Sequence, residues 1–307
     1  MTSEPIVLAR SDELDLVDLT QVSQADRIIE FYDEAGMDYG HWSRGFNMHL
    51  GFYRAGLNPF DREKMLEQMN HEIAARLELD LVARAFLIDL GCGMGAVARS
   101  VAKNYLHATV KCVTNVQSQV RAAVRSNALE CLQDQIEIVH GDYTALPYED
   151  GYADGVWAVE SLCYATGPAK ADLVREMARV LRPGGRFAIA DCFIKGPAKD
   201  LNFLIKKCYS SVCKSWALAE MPELDRVVTA LKKHGFRDIL AEDISWRVVP
   251  SLAHAPFAVI SFLVKKVLAR EPLKRHTISN LKASLLALAL GLNRAKFSYC
   301  LISGRLG

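Results

Sequence analysis

The sequence predicts an α/β fold: a doubly wound, seven-stranded, mostly parallel sheet with an N-terminal helical cap and a C-terminal helical lid insertion. Three observations predict it. Short apolar strands alternate with amphipathic helices from residue 85 to 191. A glycine-rich turn follows the first of those strands directly, at the edge where doubly wound sheets bind ligands. The last strand-like run, "FSYCLISGRL", is separated from its expected hairpin partner by residues 247–295, which implies an insertion between them.

The 307 residues are half hydrophobic and 24% charged, the composition of a globular chain with a substantial core. A formal charge of +1 gives no electrostatic case for nucleic acid, which needs a basic face. The first twenty residues are acidic and lack the apolar run of a signal peptide. The eight cysteines show no CxxC pair and read as reduced thiols, so the expectation is a cytoplasmic protein. The runs "APFAVISFLV" and "LLALALGL" are too short to span a bilayer.

In chain order, a helix is expected over roughly 24–35. The stretch "MDYGHWSRGFNMHLGFY" (37–53) follows, dense in aromatic and histidine side chains. A second helix begins after Asp61, its expected N-cap, with Met65, Met69, Ile73 and Leu77 as an apolar stripe. "AFLIDL", "ATVKCVT", "IEIVH", "DGVWAVE" and "RFAIAD" read as buried strands, with helices between them. "RPGG" (182–185) reads as a helix stop and tight turn before the fifth strand. Beyond Asp191 come a helical insert to about residue 220, a helix at 222–234, and a sixth strand in "FRDILAEDIS". Two apolar and basic helical segments then precede the seventh strand. The expected division is 1–84 cap and acceptor segment, 85–246 core, 247–295 lid, and 296–307 final strand.

"LIDLGCGMGAVARS" carries the most chemistry. Gly91, Gly93 and Gly95, with Cys92 between, make a turn into a helix, and Asp89 stands just before them. The G-x-G-x-G spacing differs from the G-x-G-x-x-G of dinucleotide enzymes. An acidic residue there repels a pyrophosphate and suits a cationic ligand with an amino acid group, which points to S-adenosyl-L-methionine. Asp142, beside Tyr143 after the third strand, is placed to accept the adenine amino hydrogen. After the second strand, Thr114, Asn115 and Gln117 offer neutral contacts to the ribose hydroxyls. Asn115 serves equally as a helix cap.

These segments, with "HGDYTALPYED" and "MARVLRPGGRFAIAD", resemble the class I S-adenosylmethionine-dependent methyltransferases from about residue 85 to 192, and more loosely to the C-terminus. The resemblance implies a Rossmann-like methyltransferase fold. The polar pattern ending in Gln117 and the segment "DGVWAVESLCYA" are similar to the branch of sterol C-24, geranyl diphosphate and tocopherol methyltransferases. That branch places an acidic residue in the substrate pocket, here Glu160; the alternative is that Glu160 bonds the cofactor's methionine portion or the lid. Sterol methyltransferases also carry Y-E-Y-G-W-G followed by a phenylalanine–histidine pair. Asp38, Tyr39, Gly40, Trp42 and His49 match it, while Ser43, Arg44 and Met48 depart from it.

The resemblance implies an isoprenoid acceptor: a sterol, prenyl chain or terpenoid alkene. Methyl transfer to an alkene leaves a carbocation, which aromatic faces attract and a base must deprotonate unless it cyclises. Tyr39, Trp42, His49 and Tyr164 are the expected pocket, with Glu160, His49 and Tyr39 as the catalytic set. The competing readings are O-, N- or C-methylation of an aromatic or alkaloid metabolite, and a non-catalytic lipid-binding protein. The lid combines apolar faces with Lys265, Lys266, Arg270, Lys274 and Arg275, which suits a hydrophobic acceptor and peripheral membrane contact. The oligomeric state stays open, a homo-oligomer included. No P-loop, G-x-S-x-G elbow or metal spacing among the histidines suggests other chemistry.

Overall fold

A computed structural model describes residues 23–79 and 84–307. The acidic start of the chain lies outside the described residues. The sheet order is β3-β2-β1-β4-β5-β7-β6. Its strands are β1 (Ala85–Leu90), β2 (Ala108–Thr114), β3 (Ile136–His140), β4 (Ala153–Val159), β5 (Leu181–Ile194), β6 (Phe236–Asp243) and β7 (Phe297–Leu306). The first five pair in parallel, and β7 inserts antiparallel between β5 and β6. The mostly parallel sheet expected from the sequence is therefore the one observed. β1 is apolar on both faces up to Asp89, because helices cover both, as parallel sheets require.

The helices are α1 (Gln24–Ala35), α2 (Arg62–Arg76), α3 (Ala96–Asn104), α4 (Gln117–Leu129), α5 (Ala171–Val180), α6 (Phe203–Ser215), α7 (Leu224–Lys233), α8 (Ser245–Leu252), α9 (Ala255–Leu268) and α10 (Arg275–Leu292). Asp61 caps α2, accepting the Lys64 N–H at 3.2 Å. The α2 stripe Met69, Ile73 and Leu77 packs with Leu87 and Trp157 on one face of the sheet. Leu173, Met177, Phe187 and Leu231 fill the other. A third cluster joins Val212 of α6, Leu290 of α10 and Phe297 of β7, fastening the C-terminal helices to the sheet.

Two expectations need correction. "RPGG" lies inside the β5 span: Ala153 pairs with Leu181 and Gly155 with Arg186, so the four residues form a bulge rather than a turn ahead of the strand. The first of the two helical segments in the C-terminal insertion is longer than the apolar run "APFAVISFLV": it holds α8 and α9, and α10 is the second. Ala253 and His254 keep right-handed helical backbone angles, so α8 and α9 run on from one another. Together Ser245–Leu268 make 24 residues, long and apolar enough by length and composition to cross a membrane, although "APFAVISFLV" alone is not.

Candidate active site

Two cavities meet at the C-terminal ends of the parallel strands. The first, about 270 Å³, lies where the strand order reverses between β1 and β4. Asp89, near the end of β1, is buried there; its Oδ2 has no partner at full hydrogen-bond geometry among the described residues, and the neighbouring Trp157 indole offsets its burial only in part. Burial pushes its carboxyl up to about 7. Gly91 and Gly93 have φ of +79° and +54°, angles that favour glycine. A Cβ on Gly91 would come within 2.6 Å of Ser161 Cβ, so this turn has no room for a side chain. Cys92 also lines the cavity, whereas Gly95 starts α3 outside it.

Thr114 and Asn115 line the cavity, but Gln117 does not: it is exposed on the first turn of α4. Successive helical residues are rotated by about 100°, so Gln119 points the other way. Gln119 lines the cavity and accepts a hydrogen bond from Thr114 Oγ1 at 2.6 Å. It holds the place expected of Gln117. Asp142 accepts from Thr144 N and Oγ1, both at 2.7 Å, which fixes its carboxylate at the rim. Tyr143 donates to Ser161 O at 3.0 Å. Gln24, Ile28 and Tyr32, spaced four apart on one face of α1, close the cavity from the N-terminal side.

The second cavity, about 240 Å³, is walled by the 38–50 segment, α8, α9 and α10. Tyr39, Trp42, Tyr164, Trp216, Phe262 and Tyr299 give it an aromatic lining. Tyr32, Met48, His49, Glu160 and Tyr164 border both cavities. Glu160 is a non-glycine residue at φ 48°, a conformation concentrated at functional sites. Its N–H donates to Ala190 O at 2.8 Å. Its Oε1 accepts from Leu50 N–H at 2.6 Å and Tyr299 Oη at 2.8 Å. Burial pushes the carboxyl up to about 7 despite those two donors, with nearby Asp191 adding to the rise.

His49 is differently placed. Its Nδ1 meets Leu50 O at 3.0 Å, and its Nε2 meets the Asn70 and Asn47 side chains at 3.0 and 3.2 Å. Burial holds it below the usual histidine range. With both nitrogens engaged, the ring braces the 47–50 backbone and is not free to act as a base. Tyr39 is half-buried, and the desolvation of its phenol, with Glu160 nearby, keeps it protonated. Tyr32 links the rings of Tyr39 and Tyr164, and its Oη lies 2.7 Å from that of Tyr164. Trp42 donates to His49 O at 3.1 Å, and the Arg62 guanidinium stands 4.6 Å from its ring centre.

Residues 88–189 match the family model described as a methyltransferase domain. The methyltransferase GfsG of Streptomyces halstedii is 30% identical over 209 residues, 67% of this chain and 71% of that protein. The chain belongs to the class I S-adenosylmethionine-dependent methyltransferases. The sterol 24-C-methyltransferase ERG6 of Saccharomyces cerevisiae is 27% identical over 269 residues, covering 80% of this methyltransferase and 68% of ERG6. Among solved structures, the [4+2]-cyclase SpnF superposes with a TM-score of 0.72 at 20% identity, over 93% of this chain and 97% of that one.

S-adenosylmethionine is the methyltransferase's cofactor, and the first cavity fits it. Asp89 brings to the cavity a buried carboxyl that only the neighbouring Trp157 indole partly satisfies, an acceptor suited to a cationic group, and the side-chain-free turn at Gly91 admits a ligand against the backbone. Sequence reasoning missed Gln119, the α1 face and Tyr299. Only the Gln24/Ile28/Tyr32 spacing was a signal for any of them; the other two depend on rotation about α4 and on the return of β7.

Proposed function

We propose that this methyltransferase methylates an alkene carbon of an uncharged isoprenoid acceptor and that Glu160 takes the proton released. The observation that carries this is the Glu160 carboxylate at the junction of the cofactor cavity and an aromatic cavity. Asp89, Gly91, Thr114, Gln119 and Asp142 hold S-adenosylmethionine, which supplies an activated methyl group when bound. The aromatic lining seats the double bond and excludes water. Once a new carbon–carbon bond leaves a cation on the acceptor, each facing ring stabilises it by about 0.5–2 kcal/mol. Glu160 then accepts the proton from the adjacent carbon, and that C–H pair re-forms a double bond. A carboxyl lifted to about 7 is matched to that task near neutral pH.

The cavity's charges support an uncharged acceptor. Asp38, Glu160 and Asp191 line it, and Arg294, the one arginine lining it among the described residues, is held by both Asp243 oxygens at 2.7 Å. A phosphorylated chain would meet carboxylates without a free guanidinium. The sterol relative acts on an acceptor of this kind by its name.

The test is incubation with methyl-labelled S-adenosylmethionine and a panel of sterols and prenyl alcohols, with the label located by NMR. Label on carbon is expected; label on oxygen or nitrogen overturns the reading. Glu160→Gln should lower turnover by about 10²–10⁴-fold with cofactor binding intact. The wild-type rate should rise with pH through about 7, as the carboxylate forms.

A further inference from the structure

Helix α9 is apolar on two opposite faces. Its inner face, including Ala258, Val259 and Phe262, walls the acceptor cavity. Its outer face carries Phe257, Ile260, Val264 and Val267, spaced by three and four residues, so they form one stripe. All four are exposed, Phe257 by 74% and Val267 by 75%. On neighbouring α10, Ile278 and Leu285 are exposed in the same way. Contiguous exposed apolar surface of this kind marks an interaction site.

Residues 255–292 carry Lys265, Lys266, Arg270, Lys274, Arg275 and Lys282 against one acidic residue, Glu271, while Glu30 and Glu34 of α1 are engaged by His276 at the start of α10. Lys266 pairs with Glu271 at 2.6 Å. The other five cations form no ion pair among the described residues, in a chain whose formal charge is only +1. We infer that the outer face of α9 and α10 docks on an anionic lipid bilayer, with the apolar stripe in the headgroup boundary and the cations on lipid phosphates. A second copy is the poorer occupant, because a two-fold contact sets the same five cations against themselves.

The surface is built to lie on a membrane, not to cross it. The Ser245–Leu268 run is tied to the sheet and the acceptor segment by Tyr299 N–H on Ser245 Oγ at 2.7 Å and Gly51 N–H on Ser251 Oγ at 2.8 Å. Val248 and Phe262 are buried against the protein. One helix therefore separates the docked face from the acceptor cavity, giving an apolar molecule a short route from lipid to site. The docking does not depend on which atom is methylated.

The full chain should sediment with vesicles of phosphatidylcholine containing phosphatidylglycerol, and much less with phosphatidylcholine alone or at high salt. The double variants Phe257→Ser/Val267→Ser and Lys265→Glu/Arg270→Glu should each lower partitioning by roughly tenfold or more. Both should bind S-adenosylmethionine as wild type does, which separates lost docking from lost folding. Wild-type chain left in the supernatant with both vesicles overturns the inference. So does a dimer in light scattering that Phe257→Ser/Val267→Ser dissociates while vesicle binding is absent.

Discussion

Asp89 shows how one side chain's environment sets its chemistry. Its carboxyl ordinarily titrates near 3.8, and in the fold near 7, because burial disfavours the charged form. The folded state thus holds the proton more tightly than the unfolded one. Asp89's stabilising contribution is complete below the lower value and is lost as pH rises through the upper one. A bound ammonium reverses this by favouring the carboxylate. Between pH 5 and 8, the cofactor-free wild type should lose melting temperature relative to Asp89→Asn, and added S-adenosylmethionine should shrink or invert that gap. The variant should bind the cofactor roughly 10–100-fold more weakly in calorimetry. Parallel melting behaviour at both pH values would refute the assignment. The position of Asp89 was legible, since an acid before the glycine turn has few other uses. Its protonation was not, because burial is decided by residues far along the chain. Gln117 and Gln119 fail in sequence for a local reason: both follow the second strand, and only the start of α4 decides which faces inward.

At the scale of elements, α1 couples the cofactor cavity to the lid. Ser23 and Asp26 cap it reciprocally, Ser23 Oγ accepting from Asp26 N–H at 3.1 Å and Asp26 Oδ2 from Ser23 N–H at 3.2 Å. One face meets the cofactor cavity, and Glu34 accepts the His276 N–H at the start of α10 at 2.5 Å. Ser23→Ala should cost about 1 kcal/mol, felt mainly as opening of this helix. Hydrogen exchange across 24–35 should quicken about fivefold, since 1.4 kcal/mol is a factor of ten, and S-adenosylmethionine at a hundredfold excess over its Kd should slow it again, because the open helix lacks one wall of the cofactor cavity. Exchange across 24–35 that the cofactor leaves unchanged would show that α1 is not part of the closure. The helix itself was legible from its pattern. Its role over the cofactor was not, because nothing within 24–35 says which distant surface it covers.

Across the whole molecule, the legible part is what the sheet repeats. Asp89, Thr114, Asp142 and Glu160 stand at or just after the ends of four successive strands, and a doubly wound sheet delivers such strand ends to one edge. The acceptor cavity obeys no such repeat: Tyr39 and Trp42 come from before the sheet, Ala287 from α10 and Tyr299 from β7. Its composition could be guessed from aromatic density, but its outline is set by contacts between residues more than two hundred positions apart. This division of labour predicts that the two cavities can be disabled separately. Ala287 lies on the acceptor side alone. Ala287→Phe should fill much of that cavity, raising KM and lowering turnover while cofactor affinity holds. Gly93→Ala should do the opposite, since its φ of +54° and a Cβ 3.1 Å from Met48 Sδ disturb the cofactor turn. Titration of both variants with S-adenosylmethionine, alongside steady-state kinetics, separates the two effects. Equal loss of cofactor affinity in Ala287→Phe would mean that the cavities act as one site, and that Glu160 does not divide donor from acceptor.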